Sequence, residues 1–148
     1  MFFKMPHMAS PMKKVMCFGT FDLLHEGHKY FLTEAKKLGS ELIVVIARDE
    51  TVVKVKKHTP VHNEQQRLEN LERMGIATKV LLGHVGDKLK IVEEEKPGII
   101  CLGYDQTFFT KNIKEKLEER GVPVEIVRLP AHKPDVYKSS LLRKKLGK

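Results

Sequence analysis

The sequence has no tryptophan, only two cysteines in 148 residues, and no apolar run of membrane-spanning length. The two cysteines, Cys17 and Cys101, lie far apart and cannot form the disulfide framework of a small secreted domain, and no secretory signal is evident. We therefore expect a protein of the reducing cytoplasm that is stabilised by its hydrophobic core and has no membrane partner.

Positive charge is in excess. Lys and Arg number 27 against 19 Asp and Glu, so the formal net charge is +8. A charge of this sign is compatible with a nucleic-acid partner, but the lysines are spread along the chain and no basic stripe with interleaved aromatic residues is present. Small polyanions account for the charge equally well, so the sequence argues against nucleic acid as the main ligand.

The length and composition indicate one globular domain. A chain of 148 residues that is 41% hydrophobic and 31% charged can bury a single core. The first twelve residues, MFFKMPHMASPM, contain four of the six methionines and have no regular pattern. We expect them to be a disordered leader or a vector-derived remnant, with Met12 as a native start, and the domain to cover residues 13–148.

Strand and helix patterns alternate along the rest of the chain. Short runs of β-branched and apolar residues predict strands at 13–18, 41–47, 78–82, 98–102 and 122–127. Amphipathic segments predict helices at 27–38, 63–74, 87–95, 111–120 and 139–146. Residues 48–60 are expected to form a loop. This alternation is typical of a parallel sheet with helices on both faces.

The predicted topology places the carboxyl ends of the first and fourth strands side by side. Right-handed crossovers favour an α/β, Rossmann-like, doubly wound domain whose five-stranded parallel sheet has the order 3-2-1-4-5. Ligands bind such sheets in the crevice where the strand order reverses. Residues 19–22 (GTFD) and 103–106 (GYDQ) leave the sheet there. The same order brings Cys17 close to Cys101, where both are expected to be small buried apolar residues.

The segment 17–28, CFGTFDLLHEGH, predicts a phosphate-binding turn. A helix begins near Gly27, whose missing side chain lets a ligand approach the backbone, and the amino end of a helix attracts anions. His25 and His28 can donate to the same oxygens. From the residues alone, three other interpretations stay open: a zinc pair without suitably spaced partners, a helix cap, or a glycine that only marks a tight turn.

Lysines follow the second predicted strand. Lys54, Lys56 and Lys57 lie in the expected loop, where flexible ammonium groups could close over a triphosphate. We expect Lys54 or Lys57 to reach phosphate. A solvated run of charges is the alternative.

A second helix start is predicted near the end of the chain. The segment YKSSLLR, residues 137–143, offers the hydroxyls of Ser139 and Ser140, with Arg143 one turn into the helix. Such a start suits phosphate, although a plain serine cap has the same pattern.

Two aspartates lie in the turns at the switch point. Asp105 can accept hydrogen bonds from ribose hydroxyls or from the substrate, or it can form a local turn. Asp22 can order the turn after the first strand or lie near Mg²⁺.

These motifs together resemble those of the HIGH-motif nucleotidyltransferases. The resemblance rests on residues 19–22, on His25-x-Gly-His28 and on the terminal Lys138-Ser139-Ser140-x-x-Arg143, and it covers residues 12–146. Glycerol-3-phosphate cytidylyltransferases share the opening motif. They carry a tryptophan after strand 4 and an Arg-Thr-Glu-Gly-Ile-Ser-Thr-Thr segment near the end, and this chain has neither.

Archaeal-type FAD synthases, which are FMN adenylyltransferases, are more similar to the chain. ARDETV at 47–52, LGYDQ at 102–106 and the serine pair at 139–140 match their pattern. Cysteines that some members carry near the C terminus are missing here. The resemblance implies transfer of AMP from ATP to FMN, giving FAD and pyrophosphate, with Mg²⁺ or another divalent cation bridging the triphosphate and few protein ligands on the metal.

The resemblance also implies the roles of individual residues. His25 and His28 would bind the triphosphate, with His28 stabilising the transition state, and Arg143 would act with them on the leaving pyrophosphate. The remaining contacts to nucleotide, phosphate or substrate would come from Thr20, Phe21, Asp22, Gly27, Lys54, Lys57, Asp105, Lys138, Ser139 and Ser140.

Two other functions remain as alternatives. One is a cytidylyltransferase that forms CDP-glycerol or a related product. The other is a nucleotide- or RNA-binding module without activity, because a fold does not determine a function. A homodimer is expected from the resemblance alone.

Overall fold

The computed structural model describes residues 13–104, 106 and 111–130. The predicted leader, Asp105 and the C-terminal segment with its predicted helix at 139–146 lie outside the described residues. The described chain has ten elements, in which strands and helices alternate except for two consecutive helices after the second strand, and no helix among them is long and apolar enough to span a bilayer. In order, they are β1 Lys14–Gly19, α1 Glu26–Lys36, β2 Glu41–Ile46, α2 Asp49–Lys56, α3 Glu64–Met74, β3 Lys79–Leu82, α4 Lys90–Glu95, β4 Ile99–Leu102, α5 Ile113–Glu119 and β5 Glu125–Arg128.

The sheet confirms the predicted topology. Its five strands are parallel and have the order β3-β2-β1-β4-β5, so β1 and β4 are neighbours at the reversal of strand order. Cys17 pairs directly with Cys101 in this register, and both are fully buried. Burial raises the pKa of the Cys17 thiol well above its usual range and that of Cys101 to about 12. Both thiols stay protonated at neutral pH, as expected of small core residues.

Helices cover both faces of the sheet, because successive strand residues point to opposite sides. One core layer joins Met16, Phe18, Ile43 and Ile100 to residues of α4 and α5. The other layer joins alternate strand residues to the buried faces of α1 and α3: Val15, Cys17, Val44, Leu32, Ala35 and Leu71. Because β1 and β4 are parallel neighbours, their carboxyl ends, which precede the turns at 19–22 and 103–106, meet at one edge of the sheet.

The prediction of a loop over residues 48–60 is wrong, because α2 occupies most of it. Thr51 and Val52 are buried, and Lys57 ends the helix in the left-handed conformation. The segment DETVVKVK contains several β-branched residues of modest helix propensity, so its own sequence gives a weak helical pattern. Contacts with the start of α3 stabilise it instead: Asp49 N–H donates to the Glu64 carboxylate at 2.8 Å, and Glu64 N–H donates to the Asp49 carboxylate at 3.1 Å.

Candidate active site

The two histidines of the motif cap the start of α1. Nδ1 of His25 accepts a hydrogen bond from Gly27 N–H at 3.0 Å, and Nδ1 of His28 accepts one from His25 N–H at 3.3 Å. The arrangement is a capping box made with two imidazole rings, so the interpretation of the pair as a helix cap is confirmed. It leaves the opposite edge of each ring available for a ligand.

The hydrogen bonds of the cap determine which ring nitrogen carries the proton. A backbone N–H can only donate, so Nδ1 of each ring must be an unprotonated acceptor when the ring is neutral. The proton then resides on Nε2 of both His25 and His28. Two N–H donors are thus set beside the positive end of the α1 dipole, which is an arrangement suited to phosphate oxygens.

His28 is largely shielded from water. Its ring contacts the ring of Phe21 edge to face, with 5.4 Å between centroids, and lies 4.0 Å from the ring of His25. Burial, the neighbouring His25 and the charge of Lys56 lower the pKa of His28 to about 4. The His28 ring is therefore a neutral hydrogen-bond donor at pH 7 in the free protein.

Residues 19–22 form a tight turn that is held from a distant part of the chain. Phe21 is 5% exposed and has a left-handed backbone, with a φ of 54°. Gly19 is required beneath it, since a Cβ at that position would lie 2.6 Å from Cε2 of Phe21. The Asp22 carboxylate accepts hydrogen bonds from the backbone N–H groups of Val61 at 2.7 Å and His62 at 2.8 Å.

These two bonds occupy both carboxylate oxygens of Asp22 and order the turn. They also hold its pKa below the usual value against the opposing effect of burial, with Arg67 and His62 contributing to the lowering. Among the described residues there is no group of three or more acidic, histidine or cysteine side chains placed to hold a metal ion.

Arg67 is a site residue that the sequence reasoning missed. Its guanidinium is fully buried and donates to the carbonyl of Thr20 at 2.8 Å, to the carbonyl of His62 at 3.0 Å and to the Asp49 carboxylate at 2.7 Å. One signal was available: Arg67 stands four residues before the buried Leu71, on the apolar side of α3. A charged residue at such a position needs partners in the folded protein.

The lysines of the predicted loop take different positions around α2. Lys56 is near enough to His28 to lower its pKa, and Lys54 lies near Lys88 and lowers the pKa of that ammonium, whose main perturbation is burial. Lys57 is exposed at the end of the helix. Lys56 is thus the lysine of this segment whose charge acts on His28, whereas the predicted phosphate ligands were Lys54 and Lys57.

Lys88 attaches α2 to the loop after β3. Its ammonium donates to the Thr51 hydroxyl at 2.9 Å, to the His84 carbonyl at 3.2 Å and to the Val85 carbonyl. Nothing in the sequence pattern distinguishes Lys88 from the many other lysines of the chain.

The side chain of Gln106 bridges the ends of β1 and β4. Its amide group donates to the Phe18 carbonyl at 3.0 Å and accepts from Gly103 N–H at 3.1 Å. Arg128, at the end of β5, donates to the carbonyls of Gly103 at 2.7 Å and Gln106 at 2.8 Å. The two segments predicted to meet at the switch point do meet there. The residues that join them were not among the predicted site residues.

Several predicted ligands cannot be located. Asp105, Lys138, Ser139, Ser140 and Arg143 lie outside the described residues. The other predicted ligands near the first strand all lie at the carboxyl end of β1: residues 20–22, His25, Gly27 and His28.

Comparisons with known proteins agree with this geometry. A family model described as cytidylyltransferase-like matches residues 16–145. The chain is 47% identical over 122 residues to the FAD synthase of Methanosarcina barkeri, covering 82% of this chain and 86% of that protein. It is 43% identical over 135 residues to the FAD synthase of Thermoplasma volcanium, covering 91% and 94%.

Solved structures show the same fold. A structure from Thermoplasma volcanium described as a lipopolysaccharide core biosynthesis protein is 42% identical, with a TM-score of 0.77, covering 82% of this chain and 98% of that one. A pantoate–β-alanine ligase from Francisella tularensis is only 17% identical, with a TM-score of 0.59, and covers 89% of this chain and 65% of that one. The second likeness concerns the fold alone.

Proposed function

This chain belongs to the cytidylyltransferase-like family, and we propose that it is an FMN adenylyltransferase, which transfers AMP from ATP to FMN and releases pyrophosphate. The observation that carries the proposal is the paired histidine cap of α1, in a chain 42–49% identical to proteins named FAD synthase over most of its length. The cap supports binding of a triphosphate, and the relatives' names support the choice of ATP and FMN.

The reaction needs little from the protein in the way of proton transfer. An oxygen of the FMN phosphate attacks the α-phosphorus of ATP, the bond from that phosphorus to the bridging oxygen of the β-phosphate breaks, and its electron pair leaves with pyrophosphate. A phosphate monoester has a second pKa of about 6, so the attacking oxygen is already ionised at neutral pH. Catalysis then consists of positioning and of stabilising negative charge.

The histidines at the α1 start are suited to that task. In this proposal, Nε2–H of His25 and of His28 donate to triphosphate oxygens, and His28 stabilises the charge that develops during transfer. The backbone N–H groups of Thr20 and Phe21 and the side-chain-free backbone at Gly27 complete the turn side of the site. Because His28 is neutral, the positive field must come largely from the helix dipole and from lysines.

The other predicted ligands complete the proposed site. Lys54, Lys56 and Lys57 on and after α2 would neutralise the triphosphate. Asp105 would bind ribose or the acceptor, and Asp22 would hold the turn. Lys138, Ser139, Ser140 and Arg143 would hold the leaving pyrophosphate from the C-terminal segment.

A divalent cation such as Mg²⁺ fits this proposal as a companion of the substrate. When bound, it would bridge phosphate oxygens and reduce the charge of the leaving group. The described residues offer no cluster of three ligands for it, and the carboxylate of Asp22 is already hydrogen-bonded to two backbone amides. Phosphate oxygens would therefore supply most of its ligands.

Parallel assays test the proposal. The purified protein is incubated with ATP and FMN, with CTP and glycerol 3-phosphate, and with RNA, each with Mg²⁺. We expect FAD and pyrophosphate in the first mixture only. Pyrophosphate formed only with CTP would instead indicate the cytidylyltransferase, and tight salt-sensitive RNA binding without turnover would contradict both enzymatic functions. Light scattering of the same sample tests the expected homodimer.

A further inference from the structure

Arg67 is a charged residue enclosed entirely within the protein. Its guanidinium is 0% exposed and makes three hydrogen bonds of 2.7 to 3.0 Å, only one of which goes to a charged acceptor. A buried charge is costly unless its hydrogen bonds are well made, so this position demands arginine for its geometry. The acceptor that matters most is the Thr20 carbonyl, because Thr20 is 47 residues away in the chain and belongs to the turn after β1.

The contact with Thr20 determines the direction of the next amide. No described peptide bond is cis, and in a planar trans peptide the carbonyl and the following N–H point in opposite directions. Since the Thr20 carbonyl points to Arg67, the N–H of Phe21 points away from it. Within the described part of the chain, that N–H donates to no protein acceptor.

The backbone conformation of residues 19–22 has to be stabilised by hydrogen bonds from other parts of the chain. Phe21 is a non-glycine residue with a φ of 54°, a conformation that costs energy for residues with a side chain. The Asp22 carboxylate accepts from the backbone N–H groups of Val61 and His62, and the His62 carbonyl in turn accepts a hydrogen bond from Arg67. The segment before α3 and Arg67 therefore clamp the turn from one side.

We propose that Arg67 is a positioning residue for nucleotide binding: it orients the Thr20–Phe21 peptide so that the Phe21 N–H faces the phosphates of the nucleotide. This inference rests on the proposed function for the identity of the nucleotide as ATP. Arg67 itself touches no substrate. Its effect reaches the phosphates only through the peptide that it holds.

Lysine cannot replace arginine in this role. An ammonium at position 67 could still pair with Asp49, but it lacks the planar fork that reaches three separated acceptors at once. We expect Arg67→Lys to raise the KM for ATP about tenfold and to leave the KM for FMN within about twofold, because the displaced turn contacts the phosphates of ATP, and not FMN, in the proposed site.

Asn63→Ala is the matched control. Asn63 caps the same helix by accepting from Gln66 N–H at 2.8 Å, and among the described residues its side chain makes no hydrogen bond to residues 19–22. Its loss destabilises α3 without moving Thr20. We expect a lower melting temperature in Asn63→Ala with the KM for ATP unchanged. If both variants raise the KM for ATP equally, Arg67 has only a structural role and the proposal fails.

A binding measurement separates this inference from the proposed reaction. ATP is titrated into ¹⁵N-labelled wild-type protein and Arg67→Lys, and the amide signal of Phe21 is followed together with the calorimetric Kd. We expect a large shift of that signal in the wild type, a smaller one in the variant, and a Kd about tenfold weaker, whether or not FAD is formed. An unperturbed Phe21 signal in the ATP-bound wild type would overturn the inference.

A second variant tests the proposal in case Arg67→Lys does not fold. The double substitution Arg67→Gln with Asp49→Asn removes both charges of the ion pair between the buried guanidinium and the partly exposed carboxylate, so neither charge is left without its partner. Its amide cannot reproduce the arginine fork, and the same weakening of ATP binding is expected. Wild-type ATP affinity in this folded double variant would contradict the proposal.

Discussion

The imidazole rings of His25 and His28 lie 4.0 Å apart between centroids and are tilted by 30°. The His25 ring accepts a hydrogen bond from the backbone N–H of Gly27, and the His28 ring accepts one from the backbone N–H of His25. In the neutral rings these bonds place the proton on Nε2, and burial together with the neighbouring His25 disfavours a positive charge on His28. His28 therefore provides an oriented neutral donor, and the charge that attracts a triphosphate must come largely from the helix dipole and the neighbouring lysines.

Removing the His28 ring tests its role in the transition state. We expect His28→Ala to lower kcat by roughly 10²–10³, the usual loss for one electrostatic donor of this kind. His84→Ala is the control, because Nε2 of His84 lies 2.8 Å from the Glu94 carboxylate and His84 is not one of the residues of the proposed site. Steady-state FAD formation provides the measurement, and a loss of less than tenfold would exclude His28 from this role.

The lowered pKa of His28 predicts a dependence of stability on pH. The pKa is about 4 in the folded protein and 6.5 ordinarily, so between these values the unfolded chain binds more protons. The free energy of unfolding contributed by His28 therefore rises with pH across this window and is complete above pH 6.5. Urea unfolding at pH 4.5 and pH 7 should show a smaller difference for His28→Asn than for the wild type. Equal differences would mean that His28 titrates normally.

The charge of Lys56 should be detectable at His28. Because this ammonium lowers the pKa of His28, Lys56→Ala is expected to raise it, as measured by NMR titration of the imidazole protons. Lys36→Ala, at the opposite end of α1, should leave that pKa unchanged. If Lys56 also contacts phosphate, the KM for ATP rises in the same variant. If the pKa of His28 is the same in Lys56→Ala as in the wild type, the Lys56 ammonium lies too far from the His28 ring to affect it.

Gly27 is predicted to tolerate no side chain. A Cβ at this position would lie 2.8 Å from Cε1 and 3.0 Å from Nδ1 of His25, so the ring must leave its capping position. Gly27→Ala should lower kcat/KM for ATP by about tenfold or more, although alanine favours a helix by roughly 0.5–1 kcal/mol over glycine. Gly86→Ala is the control, since a Cβ there meets nothing within 4 Å. Equal activity of the two variants would contradict the proposed placement of His25.

Chelation separates a metal carried by the substrate from one held by the protein. We expect EDTA to abolish FAD formation and added Mg²⁺ to restore it. The melting temperature of the ligand-free protein should not change, because the described residues contain no cluster of three metal ligands. A fall in melting temperature on chelation would reveal a metal site built by the protein.

Much of the architecture was predictable because it depends on properties of short segments. The apolar runs of β2 and β4 are buried, and the crossover rule then orders the strands correctly. The helix α2 was missed because contacts between Asp49 and Glu64 stabilise it more than its own residues do. The sequence could not show that the charge of Lys56, among the lysines at 54–57, acts on His28, because that depends on how α2 is oriented against the sheet.

The order of the strands, the edge of the sheet where the predicted site residues after β1 lie, and the pair of histidines at the start of α1 can all be read from the sequence. Hydrophobic period, the handedness of crossovers and helix capping act over a few residues or over whole elements, so they can be recognised from sequence patterns. The ring tautomers, the low pKa of His28 and the hydrogen bond from Arg67 to Thr20 could be assigned only from the folded structure. Each of these depends on distances between atoms, and for Arg67 the two partners are 47 residues apart and become neighbours only when the core packs.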